Sequence, residues 1–136
     1  MSNWETKSNY SFEAANKLLL AELFNPSVHQ SYYGCVQYVF HIMYAFFNDT
    51  KEKVQLGSKG EKEDVGTHIW LRRVIYKSIA ANNKKAALMF RDEMADICGL
   101  RVQADYHFDL VEEDAAKKFN ERAIKLVGFL KEYYDL

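Results

Sequence analysis

Pro26-Ser-Val-His-Gln-Ser-Tyr-Tyr-Gly-Cys-Val-Gln-Tyr-Val-Phe-His-Ile-Met-Tyr-Ala-Phe-Phe47 is the most apolar and aromatic stretch of the chain, and its pattern decides the fold. Val28, Tyr32, Tyr33, Cys35, Val36, Val39, Phe40, Met43, Phe46 and Phe47 recur at three- and four-residue spacings, the period of a helix. They cover more than one stripe, so this helix is either central in a bundle or shared with a second subunit. Gly34 in its interior costs about 1 kcal/mol relative to alanine, which argues that it admits another backbone closely. His29 and His41 stand about 120° apart around the axis and cannot share one metal ion.

The composition supports helices throughout. Of 136 residues 49% are hydrophobic and 15% aromatic, with one proline and six glycines, too few for the many tight turns of a sandwich. The length suits a single core, hence one domain. Eighteen basic against nineteen acidic residues leave a net charge of -1, so any polyanion must be held by a local patch. Cys35 and Cys98 lie on separate apolar stripes without close spacing and read as free core thiols in a reducing compartment. No basic start with an apolar run follows Met1, and His41 and Gln37 break the longest apolar segment, so the chain reads as cytoplasmic and without a membrane span.

Outward from the central stretch, residues 1–10 read as a polar tail and 11–136 as the domain. Ser11 is the expected N-cap of a first helix that Asn25-Pro26 ends. Asn48 to Gly66 is a charge-balanced, glycine-interrupted run, either a solvated loop or a substrate lid. Thr67 is the expected N-cap of a third helix with Ile69, Leu71, Val74, Ile75, Ser78 and Ile79 inward and Trp70 off centre. Arg72, Arg73 and Lys77 beside Trp70 make either a phosphate-binding surface or a solvated face. After Asn82-Asn83 a fourth helix carries Ala87, Phe90, Met94, Ile97 and Cys98 and is expected to stop at Gly99-Leu100. Asp109 and Glu112 fit a capping box opening the last helix, whose inward stripe is Ala116, Phe119, Ala123, Leu126, Val127, Leu130 and Tyr134. The expectation is an all-α, up-and-down bundle of four to five helices. The sequence has no dinucleotide glycine motif, Walker lysine loop, His-Glu-x-x-His or Cys-x-x-Cys, and neither cofactor nor metal is expected.

Between the fourth and last helices runs Arg101-Val-Gln-Ala-Asp-Tyr-His107, which places a fixed cation, a carboxylate, a phenol and an imidazole within seven residues. Arg101 keeps its charge and His107 exchanges protons near neutrality, a combination able to hold and cleave a phosphodiester. The alternative is structural: Arg101 and Asp105 brace the junction, Tyr106 packs and His107 is a surface residue.

The order of these features, with Ser31-Tyr-Tyr-Gly-Cys35 on the second helix, a third helix opening near His68, and Arg101-x-x-Ala104-Asp105-Tyr106 before an acidic-capped last helix, resembles the HEPN family from about Phe12 to Tyr134. The most specific part is the Arg-x-x-Ala-Asp-Tyr element of one HEPN branch. The resemblance implies a helical bundle that dimerises and is often encoded beside a minimal nucleotidyltransferase partner. It further implies a metal-independent endoribonuclease of a toxin-antitoxin or defence system, in which Arg101 stabilises the phosphorane charge and His107 transfers protons, supported by Asp105 and Tyr106. The alternative it leaves open is a non-catalytic module that binds a nucleotide, RNA or the nucleotidyltransferase. Val102 departs from active members, which carry a polar residue there.

Overall fold

A computed structural model describes residues 2–48 and 67–136. The described residues form five helices and no strand: α1 Asn3–Leu20, α2 Phe24–Ala45, α3 Thr67–Ala80, α4 Lys84–Tyr106 and α5 Glu113–Tyr134. The all-α bundle expected from the sequence is the fold observed. No helix among the described residues is long and apolar enough to cross a membrane. The loop-or-lid reading of the stretch ending at Gly66 lies, from residue 49 on, outside the described residues.

The central element is α2. Tyr32, Cys35, Val39 and Ile42 are at most 1% exposed, and α2 packs against α1, α3, α4 and α5. Much of its apolar circumference is therefore covered within one chain, while Phe46 at its end stays 49% exposed. Each fully buried large side chain of this kind contributes roughly 1.5–3 kcal/mol, so α2 is the chief source of cohesion.

Helix α1 begins eight residues before the expected Ser11, and residues 3–10 are helix rather than tail. The Ser2 hydroxyl caps it, accepting from Glu5 N–H at 3.1 Å. The helix was hidden because its inward stripe is largely polar. Ser8 donates to the Gly34 carbonyl at 2.7 Å and Ser11 to Gln37 at 2.7 Å, while Trp4 stacks on Phe40 with centroids 4.6 Å apart. The helix ends before Asn25-Pro26. Glu22 takes a left-handed conformation at φ 61°, and Leu23 N–H closes on the Leu18 carbonyl at 2.8 Å. Pro26 sits in the first turn of α2, where a missing N–H costs nothing.

In α3 the inward residues are Trp70, Leu71, Ile75 and Ile79, with Ile69 turned outward, so the stripe is rotated towards Trp70. Asn83 caps α4, accepting from Ala86 N–H at 3.0 Å. That helix does not stop at Gly99. Its inward positions continue as Ala87, Phe90, Met94, Ile97, Arg101 and Ala104, an unbroken helical spacing in which Arg101 replaces an apolar residue. Gly99 is exposed, and a Cβ there would meet nothing within 4 Å. The seven-residue segment from Arg101 is thus the last turn and a half of α4 with His107 as its C-cap. Helix α5 begins at Glu113 with Glu112 as N-cap and no side-chain capping bond, so the Asp109 capping box does not form. The inward stripe of α5 is the one expected.

Contacts fix the helix directions. Trp4 meets Phe40 and Ser8 meets Gly34, so α1 and α2 are antiparallel. Tyr32 meets Cys98 and His29 meets Asp105, so α2 and α4 are antiparallel as well. Ser31 meets Asn120 and Phe46 meets Tyr134, so α2 and α5 are parallel. His68 of α3 lies at Tyr32, and Ser78 at Tyr134 beside Phe46, which makes α3 parallel to α2. Up-and-down alternation holds at the three described connections, and the direction repeats from α2 to α3. This repeat carries the first turn of α3 to the end of the bundle where α4 finishes.

Candidate functional site

At that end, three helices bring together groups far apart in sequence. Arg101 of α4 donates from one terminal nitrogen to Asp105 Oδ2 at 3.3 Å. The same oxygen lies 2.9 Å from His29 Nδ1 of α2. The guanidinium carbon sits 4.9 Å from the Tyr32 ring centroid and 5.8 Å from that of Tyr33, a cation over two aromatic faces. The Tyr32 hydroxyl is 2.9 Å from His68 Nδ1 and 3.5 Å from Cys98 Sγ. His29 packs on Tyr33 with centroids 4.6 Å apart. Arg101 and Asp105 are largely enclosed, their side chains 12% and 16% exposed, while His29 at 41% opens to solvent. Arg101 Nε is enclosed without a hydrogen-bond partner.

Burial opposes the Arg101 charge, but the Asp105 hydrogen bond and the neighbouring Tyr33, Tyr32 and Cys98 outweigh it and raise its pKa. Burial, then Arg101 and Arg72, push the His68 pKa down, so His68 is neutral at neutral pH. Burial first, then the Cys98 contact, push the Tyr32 phenol up, and it stays protonated.

Arg72 continues the site outward. With Arg73 and Tyr76 of α3 and Arg91 of α4 it lines a groove of about 240 Å³. Lys84 and Arg91 lie over the Tyr76 ring at 4.9 and 5.8 Å. Of the three basic residues marked in the sequence, Arg72 and Arg73 enter this groove and Lys77 does not. Arg91, His29 and His68 were missed, because each becomes part of the site only through packing between helices.

Neither comparison with known sequences nor comparison with solved structures finds a relative: no family model matches, and no curated protein and no solved structure matches.

His107 and Tyr106 lie elsewhere. Tyr106 is 76% exposed. His107, an exposed C-cap, borders a groove of about 440 Å³ with Val28, Ala104, Leu110 and Phe119, whose charged rim is Asp109 and Glu112. Arg101 does not line that groove. Within one chain the arginine and the histidine of the seven-residue segment therefore face different surroundings, and an acidic rim is a poor seat for phosphate. Among the described residues no group of three or more His, Cys, Asp or Glu side chains is placed to hold a metal ion. Cys35 and Cys98 are both free thiols.

Proposed function

We propose that this chain is a HEPN-like module that binds the phosphates of single-stranded RNA or a nucleotide along the α3–α4 groove. The observation that carries this reading is the convergence of Arg72, Arg73 and Arg91 around Tyr76 in a chain whose net charge is only -1. Arginines placed around a half-buried aromatic ring suit a flexible polyanion, since the cations track phosphates and the open part of the ring can meet a base. Arg72 also lines a small cleft with His68 and Tyr32, so the groove adjoins the inner cluster at Arg72.

Cleavage by Arg101 with His107, the reading that the resemblance suggests, would need the histidine of a second subunit, given their separate surroundings. A homodimer belongs to this proposal, and the exposed Tyr106, Phe108 and Leu110 beside the His107 groove offer an apolar contact. A nucleotidyltransferase-type partner is a further occupant of the same kind of surface.

The test is binding of a fluorescently labelled, random-sequence single-stranded RNA pool followed by anisotropy over a range of salt. Replacing Arg72, Arg73 and Arg91 with alanine should weaken binding more than tenfold and lower the slope of log affinity against log salt by about two, the loss of three phosphate contacts. Equal binding by wild type and the triple variant would reject the groove as the site.

A further inference from the structure

We propose that the trough between the end of α4 and the start of α5 docks a segment of a partner protein that carries apolar side chains with lysine or arginine beside them. The inference does not rest on the phosphate groove of α3 and α4, which differs from the trough in charge and in lining residues.

Shape comes first. The trough holds about 440 Å³, a volume in the range of sites that enclose a ligand, about 300–1,000 Å³. Val28, Ala104 and Phe119 are buried at its floor, and Leu100, Leu110 and Ala115 stand open around it. Its walls are fixed to one another. Asn25 donates to the Ala104 carbonyl at 2.8 Å and accepts from Val111 N–H at 3.0 Å, and both residues line the trough. A partner therefore meets a formed surface and has little of it to order on binding.

Apolar surface comes second. In the short connection from α4 to α5, Leu110 is 85% exposed and Phe108 100%. Large side chains left bare at the edge of an apolar trough mark a protein-contact surface. A small molecule confined to the trough would leave Phe108, which does not line it, uncovered, whereas a peptide segment extends over both.

Charge comes third and selects the occupant. Asp109 and Glu112 line the trough, and among the described residues neither has an ion-pair partner. No lysine or arginine lines it, and nearby Lys117 is taken by Glu113 at 3.0 Å. The last turn of α4 carries no basic residue either, so no lysine or arginine offsets the negative end of its dipole. Such a rim repels phosphates and anionic lipid headgroups and attracts lysine and arginine. A two-fold contact centred on the trough would set Asp109 and Glu112 against their own copies, so charge disfavours a second copy as the occupant. The fit that remains is a partner segment with apolar side chains in the trough and basic ones on its rim, the helix-in-groove mode of recognition.

The experiment uses the full chain and a fluorescently labelled amphipathic peptide of leucine and lysine, about 15 residues long, followed by anisotropy. Its leucine–glutamate and serine–lysine counterparts are the controls. The leucine–lysine peptide should bind at least about tenfold more tightly than either. Asp109→Asn with Glu112→Gln should weaken its binding roughly threefold to tenfold. Glu121→Gln with Glu132→Gln, the same change of charge at exposed positions of α5 outside the trough, should leave it unchanged. Ala115→Trp fills the trough from its open lip and should weaken binding at least about tenfold; thermal melts confirm folding, and Ala115→Arg serves in its place if the tryptophan variant melts early. No binding by wild type, equal affinity for the three peptides, an equal loss in the α5 control, or undiminished binding by the Ala115 variant would each overturn the inference. Sedimentation in which wild type self-associates and the Ala115 variant is released as monomer would overturn it as well, assigning the trough to a second copy.

Discussion

The Phe12 ring of α1 occupies the face of α2 that Gly34 leaves bare: a Cβ at Gly34 would fall 2.6 Å from the ring's Cε2. Gly34 thus admits an aromatic side chain, together with the Ser8 hydroxyl on its carbonyl, where the sequence suggested a neighbouring backbone. Gly34→Ala gains up to about 1 kcal/mol of helix propensity and incurs an overpacking cost of about 1–3 kcal/mol. The expected net effect is a loss of about 1–2 kcal/mol in urea unfolding. In a Phe12→Ala background the clash disappears, and the same glycine substitution should become neutral or stabilising. A double-mutant cycle measures that change of sign.

Asn25 ties the end of α4 to the chain leading into α5. Its Nδ2 donates to the Ala104 carbonyl at 2.8 Å and its Oδ1 accepts from Val111 N–H at 3.0 Å. Asn25→Ala removes both bonds and should cost about 1–3 kcal/mol. Asn25→Asp keeps the acceptor for Val111 and sets a charge against the Ala104 carbonyl, so it should also destabilise. Amide exchange should quicken at Val111 in Asn25→Ala, and unchanged protection there would contradict this role.

Arg101 and His107 should separate cleanly in stability. The Arg101–Asp105 pair is mostly enclosed, and breaking it leaves an enclosed carboxylate with only its His29 contact, so Arg101→Ala should cost about 2–3 kcal/mol. His107 is exposed, so His107→Ala should stay within about 0.5 kcal/mol of wild type. Replacing both members of the pair, as in Arg101→Met with Asp105→Leu, should recover much of the loss because no lone charge remains. Equal melting midpoints for Arg101→Ala and wild type would contradict the bracing role.

These relationships explain what could be read from the sequence. The α5 stripe was legible because large apolar residues recur at helical spacing from Ala116 to Tyr134. The first turns of α1 were not, because Ser8 and Ser11 face α2 and bury hydroxyls instead of hydrocarbon, although Ser2 and Glu5 stood at capping-box spacing. The end of α4 was misplaced because its stripe passes through a charged residue, Arg101, just after a glycine. Arg101 and Asp105 were recognisable as a pair, being four apart on one helix. Their partners His29 and His68 were not, since α2 and α3 supply them through packing that no local spacing encodes.

The last prediction concerns acid. Burial lowers the pKa of His68, with Arg101 and Arg72 adding to the shift. Burial also lowers that of His41, against the opposing Glu5 carboxylate 3.8 Å from its Nε2. His41 Nδ1 lies 2.6 Å from the Ser2 hydroxyl, which ties the start of α1 to α2. Both folded-state values lie below the unfolded value near 6.5, so below that pH the unfolded chain binds more protons than the folded one. The stability these histidines contribute is therefore present above pH of about 6.5 and lost as pH falls towards their folded-state pKa values. Urea midpoints should drop between about pH 7.5 and about pH 5.5, and the drop should shrink in His68→Gln and again in the double variant with His41→Gln. A midpoint that rises on acidification, or a slope that both substitutions leave unchanged, would show that these two imidazoles do not govern the acid response.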